Sequence, residues 1–387
     1  MSEPTALDAT LRRHVDEGAV PGAVGLLARG DDVEVVTVGH TDAAGTAPMT
    51  RDSLFRIASL TKPITAAALL TLVDAGRLGL ADPVDAWLPE LAKPTVVRTP
   101  SAPPDDVVPA ARPITVEDLL SSRAGWGFPS DFSSPAVQPL FAVHKDGRSP
   151  QQVAAPDEWL AALTGVPLLY QPGEAWLYNT CSDLQGLLIA RVTDRPLPEV
   201  LRERLFEPLG MTDTGFAVPA AKRARFTSYY GIAQDRTLEL ADAPDGQWST
   251  LPAFPSGAGG LVSTAGDWLA FARMLLADGT AHGRRVLSPA SVRRMTVNHL
   301  TGRQRGIGRL FLDGQGWGYG GQVDLTTAEP WNVPGRYGWT GGTGTTAHIV
   351  PATGTTAILL TQVAMDDPRP TPLMRAFWQI TADRTPT

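Results

Sequence analysis

Three short stretches of this chain hold the residue types that acyl chemistry needs. The first is "FRIASLTKPITAAALLTLVDAG", Phe55 to Gly76, in which Ser59 is followed three residues later by Lys62. It is the only Ser-x-x-Lys in the sequence. Of 33 Lys plus Arg only four are Lys (Lys62, Lys93, Lys145 and Lys222), so a generic positive charge is normally Arg here. A lysine inside an apolar run is costly unless it has a task. A serine hydroxyl is a poor nucleophile until a neighbouring base takes its proton. A lysine held out of water beside a helix N-terminus can give up its own proton and act as that base. The positive end of the helix also favours the oxyanion formed on attack.

The second stretch, "QPGEAWLYNTCSDLQGLLIARV" (171–192), carries Tyr178 and Asn179 just before a helical pattern. A tyrosine beside a Ser–Lys pair can relay the proton to a leaving group as general acid. The third, "GRYGWTGGTGTTAHIV" (335–350), carries Gly341, Gly342 and Gly344, which let a strand edge approach a ligand closely. A backbone N–H from that edge can pair with the N–H of Ser59 as an oxyanion hole. Each stretch alone has a plain structural explanation: surface decoration, a buried aromatic, a glycine-rich turn. Their combination is what points to nucleophilic catalysis.

The elements that must position these residues follow from periodicity and punctuation. Residues 22–40 read as a hairpin turning at Gly30-Asp31-Asp32. A helix is predicted over 63–75, with Leu69, Leu70, Leu72 and Val73 as its apolar face, Pro63 in its first turn and Gly76 at its end. That places Ser59 at the helix start and Lys62 one turn on. Residues 92–113, rich in Pro, Ala and Asp, read as loop, and 123–156 as surface loops without periodicity. Residues 114–122 read as a helix capped by Thr115 with Asp118 as partner. Two helices broken at Pro196 and Pro198 occupy 182–210, and a helix over 263–279 has Thr264 and Asp267 at its cap. Residues 347–363 read as two strands around Pro351–Gly354, and 371–383 as a closing helix. Strands at both chain ends with helices between predict an α/β layer with a mainly helical, loop-rich insertion. The expected division is 1–90 with 255–387 for the α/β domain and 91–254 for the insertion.

Composition narrows the functional classes. With 43% hydrophobic and 19% charged residues the chain is an ordinary globular one. A net charge of −7 without a basic block argues against nucleic acid as a partner. One cysteine, Cys181, excludes an internal disulfide and reads as a small buried filler. The six histidines show no His-x-x-x-His spacing, so no metal or other cofactor is expected. The N-terminus "MSEPTALDATLRRHVDEG" is interrupted by charge throughout and no run approaches a membrane span, so the expectation is a cytoplasmic protein without membrane association. Nothing in the sequence speaks to oligomeric state. No Gly-x-Ser-x-Gly elbow occurs. "GWGYGG" (316–321) fits Gly-x-Gly-x-x-Gly but lacks the following helix and acidic partner of a dinucleotide site, and reads as a glycine-rich strand near the cleft.

Taken together the stretches resemble the serine β-lactamase-like superfamily: class C β-lactamases, DD-peptidases, family VIII carboxylesterases, transacylases and aminohexanoate-dimer hydrolases. "VPGAVGLLARGDD", "LFRIASLTKPITAAALLTLVDAGRLGLADPV", "ITVEDLLSSRAGWG", "FEPLGMTDTGF" and "SGAGGLVSTAGDWLAFARMLL" spread the resemblance over nearly the whole chain. It implies a β-lactamase/transpeptidase-like fold, an antiparallel sheet flanked by helices. It implies Ser59 as nucleophile, Lys62 as base, Tyr178 as second proton carrier and Gly342 as second oxyanion donor. Two departures matter. The usual Tyr-x-Asn has Thr180 in its third place, with Asn at 179. The usual cation that opens the third motif and meets a substrate carboxylate is Trp339 here, and an indole cannot take that role. Trp339-x-Gly341 is similar to the family VIII esterase pattern.

The expected enzyme is therefore a serine hydrolase acting on carboxylic esters of small to medium acyl chains, with a small-molecule ester or amide as its partner. Ser59 attacks; Lys62, neutral and hydrogen-bonded towards Tyr178, takes the proton; Ser59 and Gly342 N–H groups hold the oxyanion; Tyr178 protonates the leaving alkoxide. Trp339 is expected as an apolar wall, and Trp126, Phe128, Asn179 and Gly341 as substrate contacts. The alternatives are an amide hydrolase, an acyltransferase, weak β-lactam turnover, or an acyl-binding module without catalysis.

Overall fold

Gly30 takes φ 59°, a left-handed value that glycine reaches without steric cost. The turn folds strand β1 (Gly22–Arg29) back onto β2 (Asp32–Gly39), with Arg29 opposite Asp32. The computed structural model describes residues 5–145 and 149–384. The first four residues of the N-terminal reading and the part of the 123–156 reading at 146–148 lie outside it. Five strands from the other end of the chain complete the sheet: β3 (Gly316–Trp317), β4 (Gln322–Val323), β5 (Tyr337–Gly341), β6 (Thr345–Val350) and β7 (Thr355–Thr361). The order is β3-β4-β5-β6-β7-β1-β2, every pair antiparallel.

The helices that bear on the site are α1 (Ala6–Asp16), α2 (Thr61–Asp74), α3 (Val116–Leu120), α4 (Gln138–His144), α5 (Pro156–Thr164), α6 (Thr180–Thr193), α7 (Ala265–Leu276) and α8 (Pro372–Asp383). Side chains alternate across a strand, and both faces of this sheet are covered. Ala23 and Leu27 of β1 and Leu359 of β7 pack with Leu7 and Leu11 of α1 and Leu373, Met374 and Phe377 of α8. Val24, Leu26, Ile358 and Leu360 face the other way, into the large core that contains α2, α6 and α7.

α2 departs from the expected one-faced helix. Residues Thr61 to Leu72 are all buried, so it is wrapped on every side. Its small side chains, Thr65, Ala66, Ala67, Ala68 and Thr71, let neighbours close around it. It also starts two residues earlier than expected, after a 3-10 turn over Ala58–Leu60.

Caps form where the sequence places them. Thr115 Oγ1 accepts from the Asp118 N–H at 3.2 Å while Asp118 Oδ2 accepts from the Thr115 N–H at 2.9 Å, a reciprocal capping box. Thr264 caps α7 by accepting from the Asp267 N–H at 3.1 Å.

Two loop readings need correction. Residues 92–113 hold a short hairpin pairing Thr95–Val97 with Val107–Pro109. Within 123–156, Ala124, Trp126 and Phe128 are buried and α4 forms. A seven-residue helix with proline in its first turn is too short to show a period, which hid it. Among the described residues no helix is long and apolar enough to cross a membrane.

Candidate active site

The nucleophile turn is stapled to the sheet. Thr343 Oγ1 donates to the Arg56 carbonyl at 2.5 Å and Thr345 Oγ1 to the Ile57 carbonyl at 3.1 Å. Gly341 approaches so closely that a Cβ there would lie 2.4 Å from the Ile57 carbonyl oxygen. This is why a glycine ends β5. Ala58, directly before Ser59, takes φ 42°, a strained value for a residue with a side chain. Among the described residues the backbone N–H groups of Ser59 and Gly342 donate to no protein acceptor.

Lys62 is 1% exposed. Its Nζ donates to Ser59 Oγ at 2.9 Å, Asn179 Oδ1 at 2.9 Å and the Ala258 carbonyl at 2.7 Å. Three acceptors surround Nζ, and they offset the cost of burying a polar group. The expected bond from Lys62 towards the Tyr178 hydroxyl is not formed. Nζ lies over the Tyr178 ring instead, 4.6 Å from its centroid, because Asn179 and Ala258 hold it there.

The Tyr178 hydroxyl donates to Ser59 Oγ at 2.8 Å and accepts from the Trp339 indole N–H at 2.9 Å. Trp339 is therefore more than the apolar wall expected from its type. The Tyr178 ring stacks on Phe311 with centroids 4.5 Å apart. Its backbone is fixed by a reciprocal pair with Phe128, both bonds 3.0 Å. Asn179 follows at φ 84°, ψ −66°, a tight turn that a non-glycine residue adopts only at a cost. The turn brings the Asn179 amide onto Lys62 from the position directly after the tyrosine.

Asp183, one turn into α6, organises the other acceptor. Its Oδ1 accepts from Ser256 Oγ at 2.6 Å and from the Ala258 N–H at 3.0 Å. Ser256 Oγ in turn accepts from the Gly259 N–H at 3.1 Å. This pins the turn whose Ala258 carbonyl meets Lys62. Gly257 lets the turn dock on α6, since a Cβ there would lie 2.4 Å from the Ser182 carbonyl oxygen. His144 closes the network, its Nε2 2.7 Å from Thr180 Oγ1 and its Nδ1 3.7 Å from Asp183 Oδ2. Burial pushes the His144 imidazole below its usual pKa, opposed by Asp183 and reinforced by Lys62.

A cleft of about 610 Å³ opens above Ser59, lined among others by Phe128, Asn179 and Gly342. A Cβ at 342 would meet nothing within 4 Å, so this glycine keeps the space beside Ser59 clear. A second cavity, about 590 Å³, reaches Phe311, Trp339 and Thr340. Trp126 does not line the cleft. It is 2% exposed and its indole N–H donates to the Val166 carbonyl at 2.8 Å, which makes it part of the core. Burial raises the Cys181 thiol to about 12, so it is a filler rather than a nucleophile. The "GWGYGG" run packs beneath the site: a Cβ on Gly320, at φ 77°, would lie 2.6 Å from the Lys62 carbonyl oxygen.

Asp183, Ser256, Ala258 and Phe311 are the site residues that sequence reasoning missed. An acid in the first turn of the helix that follows Tyr178, and the flexible "SGAGG" run, were the available signals for the first three. Phe311 offered none, because its four-residue helix carries no period.

Known proteins resemble the chain along most of its length. A sequence model of the Beta-lactamase family matches residues 7–375. Protein Rv1367c of Mycobacterium tuberculosis is 39% identical over 368 residues, covering 92% of this chain and 90% of its own length. Esterase EstB of Burkholderia gladioli is 29% identical over 380 residues, covering 93% and 90%. The solved structure of EstCE1, titled a hydrolase with promiscuous acyltransferase activity, superimposes with a TM-score of 0.78 at 24% identity over 97% of both chains. At that identity the likeness is one of fold.

Proposed function

The chain belongs to the Beta-lactamase family, and from that premise we propose that it is a serine esterase working through an acyl-enzyme on Ser59. One observation carries the reading: Ser59 Oγ lies within hydrogen-bond distance of both Lys62 Nζ and the Tyr178 hydroxyl. The pair starts with Lys62 as the neutral amine; Ser59 attacks the ester carbonyl and its proton passes to Lys62 Nζ, within the Lys62–Tyr178 pair. The free N–H groups of Ser59 and Gly342 receive the oxyanion. Tyr178 then returns the proton to the departing alkoxide. Water repeats the sequence, losing a proton to the pair, and the acid leaves as Ser59 is restored.

Esters of small to medium acyl chains suit the site better than β-lactams. The position of the carboxylate-binding cation is Trp339, whose N–H is already committed to Tyr178. The relative named an esterase supports the same reading. Acyl transfer is the second reading, favoured by the separate cavity beside Phe311 and Trp339; there an alcohol takes the place of water. A cytoplasmic location is part of the proposal, tested by cell fractionation.

The first experiment is intact mass after brief fluorophosphonate exposure with peptide mapping, beside p-nitrophenyl acetate and butyrate hydrolysis. Labelling of Ser59, with label and turnover both lost in Lys62→Ala, supports the reading. A native protein that takes no label and turns over no ester sinks it. Product analysis with added alcohol separates transfer from hydrolysis.

A further inference from the structure

One cavity is lined by Ser59 itself and a second reaches Phe311 and Trp339, two rings that touch Tyr178; acid–base geometry assigns one to each half of an ester. The assignment rests on the esterase reading above. The leaving oxygen must come within hydrogen-bond reach of the Tyr178 hydroxyl. Tyr178 is stacked on Phe311 and bonded to Trp339, and both line the second cavity. The alcohol half therefore lies on that side. The cleft of about 610 Å³ beside Ser59, Asn179 and Gly342 is left for the acyl half.

We propose that this acyl cleft selects acyl groups bearing an aromatic ring, arylalkanoyl esters, over aliphatic acyl groups of the same length. Its walls include Phe128, Phe141, Trp159, Tyr229, Trp248 and Phe254. These come from separate parts of the fold, α4, α5 and the segments around residues 128, 229 and 248–254, so the ring lining is not one helix stripe that happens to face inward. The rings already pair in tilted arrangements, Phe128 with Phe141 at 4.9 Å and 43°, and Trp159 with Phe254 at 4.9 Å and 36°. The His144 ring bridges the two groups, 5.6 Å from Phe128 and 5.5 Å from Trp159. Aromatic rings prefer offset and edge-to-face neighbours at roughly 4.5–7 Å between centroids, and a guest ring in this cleft meets such edges from several directions. Phe141 is 46% exposed, so one face of the cluster still lacks a partner. The volume falls within the ~300–1,000 Å³ of pockets for drug-sized ligands and far exceeds what an acetyl group fills.

The test holds the leaving group fixed and changes only the acyl ring. The p-nitrophenyl esters of 3-phenylpropanoate and 3-cyclohexylpropanoate match in length and bulk. We expect kcat/KM about fivefold higher or more for the phenyl ester, the scale of an aromatic contact beyond its buried area. Phe128→Leu and Phe141→Leu should each draw that ratio towards one. Phe141→Leu, at a half-exposed site, should do so without lowering the melting temperature. A ratio near one in the native protein, or a ratio that survives both substitutions, overturns the inference. Fluorophosphonate labelling of Ser59 reads the parent proposal separately. A labelled enzyme that hydrolyses acetate and does not discriminate between the rings sinks this inference alone; an unlabelled, inactive one sinks both.

Discussion

The indole Nε1 of Trp339 donates to the Tyr178 hydroxyl oxygen across 2.9 Å. An indole N–H can only donate, so the tyrosine's own proton is left to point at Ser59 Oγ, 2.8 Å away. In the proposed reaction, once Tyr178 has given up that proton, the same indole would steady the charge on its oxygen. Trp339→Phe keeps the ring and removes the donor. Steady-state kinetics on p-nitrophenyl butyrate should show kcat about tenfold lower, the scale of one hydrogen bond of ~1–1.5 kcal/mol, with KM within about twofold. A raised KM at unchanged kcat would show Trp339 to be a binding wall only.

Asp183 lines the cleft without bonding to the nucleophile, and it fixes the carbonyl that holds Lys62. Asp183→Ala frees Ser256 and the Ala258 N–H, and misplacement of a catalytic group by about 1 Å can cost on the order of a hundredfold in rate. We expect that loss in kcat with KM little changed. Asp183→Asn keeps one acceptor oxygen and should recover most of it. If Asn is as poor as Ala while both melt like the native protein, the carboxylate acts through its charge and the positioning argument fails.

Asn179 holds a strained turn and one of the Lys62 acceptors. Glycine relieves the backbone strain, worth on the order of 1–3 kcal/mol, and deletes the acceptor. Asn179→Gly should therefore melt no lower than the native protein, and higher if the strain outweighs the lost bond, while kcat falls about tenfold or more. Calorimetry beside kinetics checks both; a variant that keeps full activity would remove Asn179 from the lysine's support.

How far the sequence spoke depends on what each residue's neighbours are. Ser59, Lys62 and Tyr178 were legible because their types are scarce in these settings and their spacing is local. The hairpin at Gly30 and the caps at Thr115 and Thr264 were legible because their partners lie within four residues. Trp126 and Trp339 were not, since an indole's task is set by whichever acceptor lies across the fold: Val166 for one, Tyr178 for the other. The Lys62 geometry was misread for the same reason. Its acceptors at 179 and 258 are far away in sequence, and no periodicity reports such a contact.

Acid should loosen the fold in a defined window. Burial holds the imidazoles of His144 and His348 below the usual ~6.5, most strongly for His348, where Arg336 adds to the effect. Both stay neutral in the folded chain, while the unfolded chain takes up protons below ~6.5. Their contribution is complete above ~6.5 and is lost as pH falls through their lower folded values. The melting temperature should decline from about pH 6.5 downward, and His348→Asn should flatten that slope between pH 6.5 and 5. An unchanged slope in the variant would contradict the assignment.

The nucleophile helix has twelve consecutive buried residues, Thr61 to Leu72, while the cleft around its first turn is walled by side chains from many separate segments. Reaction and recognition are thus inherited separately. Changes among the ring side chains of the walls alter which molecules are admitted without removing a hydrogen bond of the proton-handling centre, whereas almost any change along the helix is felt by the whole core. For an engineer, the walls are where variation is tolerated; for a lineage, they are where new substrates are met with the same chemistry.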